Sequence, residues 1–160
     1  MRLFWLSALL AFGLDQGSKF QVFRLFERVQ MEVISIAPPF LVFRRGMNTG
    51  INFGLFAEST EARRWILIAL SLVLCAALCI WAVRSFHRRI EFLSGGLIVG
   101  GALGNVFDRL LFLGVRDFLN MSCCGIDNPY VFNLADVFIF AGAAGMLLFS
   151  GEKGRGEKPS

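Results

Sequence analysis

The chain has 160 residues, of which 56% are hydrophobic and 18 are phenylalanine, and its mean hydropathy is +0.63. This apolar fraction is well above that of an ordinary soluble domain and predicts one polytopic membrane domain, with little chain left for a second domain. The net charge of +4 is modest, and its basic residues flank apolar stretches, which indicates anchoring at a membrane interface and argues against a nucleic-acid-binding patch.

Four apolar segments approach the roughly 20 residues that a helix needs to cross a bilayer core. They cover residues 3–26, 65–83, 92–113 and 131–150. The first is long enough only if it includes Asp15 and Lys19, which are four residues apart and can pair on one helix face. A cleaved signal peptide is disfavoured, because no small-residue cleavage site follows and Asp15 lies where that site would be. We therefore expect an all-α membrane protein with four transmembrane helices and a polar cytoplasmic tail over 151–160.

The segment between the first two spans predicts a small β element over about 30–57. Residues 31–36 partly alternate between apolar and polar, two prolines follow, and residues 40–43 are again apolar. The turn sequences Asn48-Thr49-Gly50 and Phe53-Gly54 come next. An apolar face on this element predicts a place at the membrane surface.

Small residues recur at intervals of four in the third segment, at Gly96, Gly100 and Gly104, and are echoed by Ala141 and Gly145 in the last one. This spacing lets helix backbones approach closely in lipid. A phosphate-binding loop is the alternative, but no Lys-Ser/Thr pair follows these glycines and no strand precedes them. We therefore expect them to pack helices.

Two aspartates, Asp117 and Asp136, lie within a few residues of the ends of apolar segments. An ionisable group at membrane depth costs about 3 kcal/mol and is kept mainly where it pairs or functions. Two carboxyl groups brought together by helix ends share one proton, so that one can act as a base on water while the other donates to a carbonyl. This pattern predicts acid/base chemistry at a membrane surface.

Four motifs, in order along the chain, carry a resemblance to a known family. They are Asp15-Gln16-x-x-Lys19, Asn48-Thr49-Gly50 with Phe53-Gly54, Gly104-Asn105-x-x-Asp108-Arg109 with Asp117-Phe118, and Phe132-Asn133-Leu134-Ala135-Asp136. Together they resemble the motif set of lipoprotein signal peptidase, or signal peptidase II, over about residues 3–149. Any one motif is weak, but four in this order are specific.

The resemblance implies an intramembrane aspartic endopeptidase that removes the signal peptide from prolipoproteins by cutting just before a diacylglyceryl-modified cysteine. It implies a multi-pass protein of the bacterial inner membrane, with both termini cytoplasmic and the active site periplasmic. The expected partners are prolipoproteins and membrane lipid, without nucleic acid, metal or cofactor, and the protein is expected to be a monomer. The implied roles are catalysis by Asp117 and Asp136, substrate orientation by Asn48, Gly50, Asn105, Arg109 and Asn133, and structural support by Asp15, Lys19, Asp108 and Ala135.

Two residues leave alternatives open near the catalytic pair. Asp108 is also an acid at the end of the third span, but Arg109 beside it and Asn105 one turn back favour a structural pair, so Asp117 is preferred for catalysis. Arg116 replaces the apolar residue that usually precedes this aspartate in the family. Its guanidinium either reaches the catalytic pair or extends to lipid phosphates. Ile51-Asn52 also replaces the small pair common after the Asn-x-Gly motif.

Other chemistries have few candidate residues. His87 is the only histidine and lies in a basic loop, where we expect it to be solvated, while Cys75 and Cys79 are expected to pack within a span. Cys123 and Cys124 could oxidise if their loop faces the periplasm. The alternative functions are a small ion or proton transporter that uses the aspartates as a path, and a non-catalytic scaffold. The clustering of the acids at one end of the spans favours a surface site over a path.

Overall fold

A computed structural model describes residues 1–38, 40–50, 60–123, 125 and 128–149. Outside these ranges lie the expected polar tail, residues 51–57 of the expected β element with its Phe53-Gly54 turn, and Cys124. The described elements, in chain order, are α1 (Arg2–Val29), β1 (Val33–Ala37), β2 (Leu41–Asn48), α2 (Thr60–Ser85), α3 (Arg89–Leu111), β3 (Val115–Asn120) and α4 (Leu134–Phe149).

The helices form a bundle in which α3 is the central member and packs against α1, α4 and α2. Within the described residues, α2 and α3 are long and apolar enough to cross a membrane, and α4 is a shorter apolar helix. Leucine, valine and phenylalanine side chains remain exposed along the bundle, for example Leu9, Val73 and Leu147. Such an outer surface is expected of a protein whose helices contact lipid.

The glycines of α3 allow this close packing, as the sequence predicted. A Cβ added at Gly100 would collide with the backbone oxygen of Ala8 in α1, and one at Gly96 would collide with that of Phe4. On another side of α3, a Cβ at Gly101 would lie 2.5 Å from the backbone oxygen of Ala135 in α4. The glycines therefore let α1 and α4 approach α3 until backbone and backbone are in contact.

The predicted small β element is confirmed as an antiparallel hairpin, but it belongs to a three-stranded sheet of order β1-β2-β3. The third strand, β3, follows α3 and was not predicted. It pairs with β2, so that Gly46 lies opposite Asp117 and Met47 lies opposite Arg116. The sheet packs on the last turns of α1 through Phe118, Val22 and Phe26. The expectation of a mostly helical fold with a small sheet is therefore confirmed.

Candidate active site

Asp117 lies in the middle of β3, between the ends of α3 and α4. Its side chain is buried, with a relative exposure of 3%. Neighbouring residues of a strand point to opposite faces, so Asp117 and Arg116 are on opposite sides of the sheet. The strand thus separates the carboxyl group of Asp117 from the guanidinium of the preceding residue.

Asp136 lies in the first turn of α4 and is half-buried. One of its carboxyl oxygens accepts a 3.0 Å hydrogen bond from Nδ2 of Asn105, and the other accepts a 3.2 Å bond from the backbone N–H of Asn133. Carboxylates are favoured at a helix N-terminus, where backbone N–H groups lack partners in the helix. Asp136 therefore has a fixed orientation at the start of α4.

Asn133 joins the two aspartates. Its Nδ2 donates a 2.6 Å hydrogen bond to Oδ1 of Asp117, while its Oδ1 accepts a 3.1 Å bond from the backbone N–H of Asp136. The residue is fully buried, which excludes water as a competing partner for these bonds. One side chain therefore sets the position of both carboxyl groups relative to each other.

The environment of Asp117 favours its protonated form. The pKa of this carboxyl is raised from 3.8 to about 6, chiefly by burial; the negative charge of Asp136 contributes to the rise, while hydrogen bonds from Asn133 and Asn48 oppose it. Asp117 therefore keeps its proton to a higher pH than an ordinary aspartate does.

Asn48 lies at the end of β2, on the same face as Asp117. Its Oδ1 accepts a 3.0 Å hydrogen bond from the backbone N–H of Gly50, which has a positive φ of 106°. This positive φ is a conformation that residues with a side chain rarely adopt, so the backbone requires glycine here. The turn holds Asn48 where its side chain hydrogen-bonds to Asp117.

A chain of buried charges lies beneath the aspartates and links α1, α3 and β3. Lys19 Nζ is 2.8 Å from Oδ2 of Asp15 and 3.1 Å from Oδ2 of Asp108, and all three side chains are fully buried. Asp108 also accepts hydrogen bonds from the guanidinium and the backbone N–H of Arg116. Because the charges alternate in sign and each is hydrogen-bonded, pairing compensates part of the cost of burying them, and removing one partner would leave an uncompensated buried charge.

This chain of charges touches the backbone next to each aspartate. Oδ1 of Asp15 accepts a 2.9 Å hydrogen bond from the N–H of Ala135, the residue before Asp136. At its other end, Arg116 is the residue before Asp117. The first helix is therefore tied by hydrogen bonds to both segments of the chain that carry Asp117 and Asp136.

Two sequence-based interpretations are corrected by these contacts. The sequence suggested a pair between Asp108 and Arg109, but the ion pairs of Asp108 are with Lys19 and Arg116. Arg109 instead donates a 3.3 Å hydrogen bond to the backbone oxygen of Asn105 and interacts electrostatically with Asp117, Asp136 and Asp108. Both alternatives for Arg116 were wrong: its guanidinium neither pairs with Asp117 or Asp136 nor extends toward lipid, because it is bound to Asp108 and Gln16.

Gln16 is a further member of this cluster that sequence reasoning did not assign a role. Its Nε2 donates to the carboxyl groups of Asp15 and Asp108 and to the backbone oxygen of Gly104, and its Oε1 accepts a 3.0 Å bond from Arg116. The sequence did contain an indication of this role, since a side-chain amide beside Asp15 in an apolar helix requires polar partners.

The remaining candidates lie away from the aspartates. His87 is in the turn between α2 and α3, at the opposite end of the bundle, where its backbone N–H donates to Glu91. Cys75 and Cys79 are free thiols within α2, and Cys75 belongs to a hydrophobic core cluster with Phe4 and Val99. Cys123 is disulfide-bonded.

The structure has a buried polar site at one end of a helical bundle whose outer surface is apolar. Two solved structures described as bacterial membrane enzymes share the fold. One covers 97% of this chain with a TM-score of 0.76 and 23% identity, and the other covers 92% with a TM-score of 0.78 and 22% identity. In each case the match covers 92% of the solved chain.

The chain belongs to the signal peptidase II family, whose model, described as Signal peptidase (SPase) II, matches residues 7–151. The lipoprotein signal peptidase of Methylobacterium sp. (strain 4-46) is 39% identical over 84% of this chain and 80% of its own length. That of Aeromonas hydrophila subsp. hydrophila is 39% identical over 99% of this chain and 95% of its own. The predicted family is therefore confirmed, the chain is a peptidase of a bacterial membrane, and the transporter alternative is not supported.

Proposed function

We propose that this protein is an aspartic endopeptidase that removes the signal peptide of diacylglyceryl-modified prolipoproteins by cutting just before the lipidated cysteine. Family membership supports the peptidase activity, and the relatives' description as lipoprotein signal peptidases supports the substrate. The observation that carries the aspartic mechanism is the bridge through Asn133, which hydrogen-bonds to both Asp117 and Asp136 in a buried site.

In this mechanism Asp117 begins as the protonated member of the pair and Asp136 as the carboxylate. Asp136 removes a proton from a bound water, and the oxygen of this water attacks the scissile carbonyl carbon. At the same time Asp117 donates its proton to the carbonyl oxygen. The tetrahedral intermediate then collapses when the amide nitrogen takes a proton from Asp136 and the diol returns one to Asp117. Both carboxyl groups thus recover their starting protonation states.

Asn105, Arg109 and Asn133 orient the carboxyl groups and the substrate backbone in this proposal. Asn105 donates to Asp136 through Nδ2 and accepts a 3.3 Å bond from Lys19 through Oδ1, so the buried charges fix the direction of its amide. Arg109 interacts electrostatically with three acids but forms no ion pair within 4.0 Å with any acid that the structure describes. Its N–H groups are suited to bind the peptide carbonyls of an extended substrate.

The pair lies at the end of the bundle where α1 and α3 end and α4 begins. We infer that all four helices cross the inner membrane, that both termini are cytoplasmic and that this end is periplasmic. The buried pairing of Asp15 with Lys19 supports a membrane-spanning α1, because it removes two charges from contact with lipid. A substrate signal helix then enters sideways from the bilayer, and its extended cleavage segment lies beside β2. We propose that one copy of the chain suffices.

The proposal is tested with the purified full-length protein in lipid and a synthetic prolipopeptide, with and without the diacylglyceryl group on its cysteine. The expected products are a free signal peptide and a peptide with the lipidated cysteine at its N-terminus, identified by mass. Cleavage at another bond, or equal cleavage of the unlipidated peptide, would contradict the proposed specificity. Absence of cleavage in every lipid would contradict the proposed function.

A further inference from the structure

A groove lined by basic and aromatic side chains lies between the last turns of α1 and the strands β2 and β3. Its volume is about 310 Å³, and three phenylalanines, three arginines and one glutamate are among its lining residues. Met47 and Arg116 line it and are register partners, whereas Gly46 and Asp117 are the next pair along the strands. Since neighbouring pairs point to opposite faces of a sheet, the groove is separate from the candidate active site.

Aromatic rings hold each arginine of the groove in place. The guanidinium carbon of Arg24 is 4.4 Å from the ring centroid of Phe20, and that of Arg45 is 5.7 Å from Phe23. Arg116 lies between Phe23, at 5.8 Å, and Phe112, at 4.5 Å. Such stacking orders a guanidinium without using its N–H donors.

Two of the three arginines have donors available for a ligand. Within the part of the chain that the structure describes, Arg24 has no ion pair, and Arg45 has a single contact of 3.4 Å with the exposed Glu32. The guanidinium of Arg116 is already bound to Asp108 and Gln16, so this arginine lines the groove without free donors for a ligand being assumed. Among the described residues that line the groove, Glu27 is the one acid against three arginines, so this lining carries an excess of positive charge.

An open apolar surface continues from the groove along α1. Gly17 and Gly13 lie about one and two turns before Phe20 on the same helix face, and a Cβ added at either would meet nothing within 4 Å. This direction leads from the end of the bundle toward its middle. A ligand with a charged head in the groove could therefore extend an apolar tail along α1.

We propose that this groove binds the phosphodiester headgroup of an anionic glycerophospholipid, with Arg24 and Arg45 contacting the phosphate and an acyl chain lying over Gly17 and Gly13. Guanidinium forks match phosphate oxygens in a bidentate manner, and a head-and-tail ligand uses both the basic groove and the apolar track. This site is distinct from the proposed peptidase function, so its occupancy can be measured whether or not the protein cleaves a substrate.

Native mass spectrometry of the purified full-length protein in equal amounts of phosphatidylglycerol and phosphatidylcholine tests the site. Retention of phosphatidylglycerol is expected to fall about fivefold for Arg24→Gln or Arg45→Gln and about 25-fold for the double variant. The control is Arg84→Gln with Arg89→Gln, which removes the same charge at the opposite end of the bundle. Equal retention by the two double variants would overturn the proposal.

Two further arms keep the test decisive if the double variant folds poorly. Glu27→Gln removes the one acidic lining residue, so it is expected to increase retention of phosphatidylglycerol, and an unchanged or lower value counts against the site. Millimolar inorganic phosphate or glycerol phosphate is expected to leave the lipid bound. Full displacement by inorganic phosphate alone would show that the groove binds a soluble anion, and the lipid proposal would be wrong.

Discussion

Substitution of Asp117 by asparagine is expected to stabilise the protein at neutral and alkaline pH. The pKa of Asp117 rises from 3.8 to about 6 on folding, chiefly because the carboxyl is buried. A rise of about two units corresponds to about 3 kcal/mol of unfolding free energy. Because the folded pKa is raised, this contribution is fully present below about pH 4 and is lost as the pH rises through about 6. Asparagine cannot ionise, so the Asp117→Asn variant does not lose this contribution to stability as the pH rises.

The measurement is the unfolding free energy of wild type and Asp117→Asn in one detergent between pH 4 and pH 8. The unfolding free energy of the variant is expected to exceed that of the wild type increasingly as the pH rises, by up to about 3 kcal/mol at pH 8. The two values are expected to converge near pH 4. A matched control is Asp108→Asn, which removes the ion-pair partner of Arg116 and one of the two buried acids paired with Lys19, and is expected to lose about 3 kcal/mol or more. If Asp117→Asn followed the wild type at every pH, the buried and proton-retaining state of Asp117 would be refuted.

Four further outcomes follow from the same contacts. Asn133→Ala removes the bridge between the aspartates and is expected to lower kcat at least about 100-fold in a prolipopeptide cleavage assay, while circular dichroism stays unchanged. Arg116→Val leaves the acidic limb of the pH-rate profile in place but lowers stability by about 3 kcal/mol in denaturant titrations, because Asp108 loses a buried partner. Gly100→Val forces α1 from α3 and is expected to abolish folded protein in size-exclusion chromatography, whereas Gly13→Val does not. Chelators and thiol alkylation are expected to leave most cleavage activity, and loss restored by a divalent ion would contradict a purely carboxyl-based mechanism.

Much of the helical framework was readable from the sequence, because apolar composition and the glycine spacing report on packing that is local to each helix. The hairpin of β1 and β2 was also predicted, since alternation and turn residues are near each other in the chain. In contrast, β3 was missed. Its partner β2 lies more than 60 residues earlier, and a short strand between two apolar helices has no local signal that distinguishes it from a loop.

The choice of Asp117 over Asp108 rested on motif position, and the contacts explain why spacing alone could not decide it. Both acids are buried near the end of α3, but Asp108 is neutralised by Lys19 and Arg116, whereas Asp117 faces Asn133 and the charge of Asp136. The pairing of Arg116 with Asp108 depends on β3, so it could not be inferred before that strand was known. The contacts of Gln16 could not be inferred either, because they form only where α1, α3 and β3 come together.

The most direct test of the central claim is the single-turnover cleavage of a diacylglyceryl-modified prolipopeptide by wild type, Asp117→Asn, Asp136→Asn and Asp108→Asn, each shown to be folded in lipid. Water activation and carbonyl protonation need both carboxyl groups, so the first two variants are expected to lose cleavage entirely, while folded Asp108→Asn retains measurable turnover. Substantial cleavage by Asp117→Asn or Asp136→Asn, together with loss in folded Asp108→Asn, would contradict the assignment of the catalytic pair.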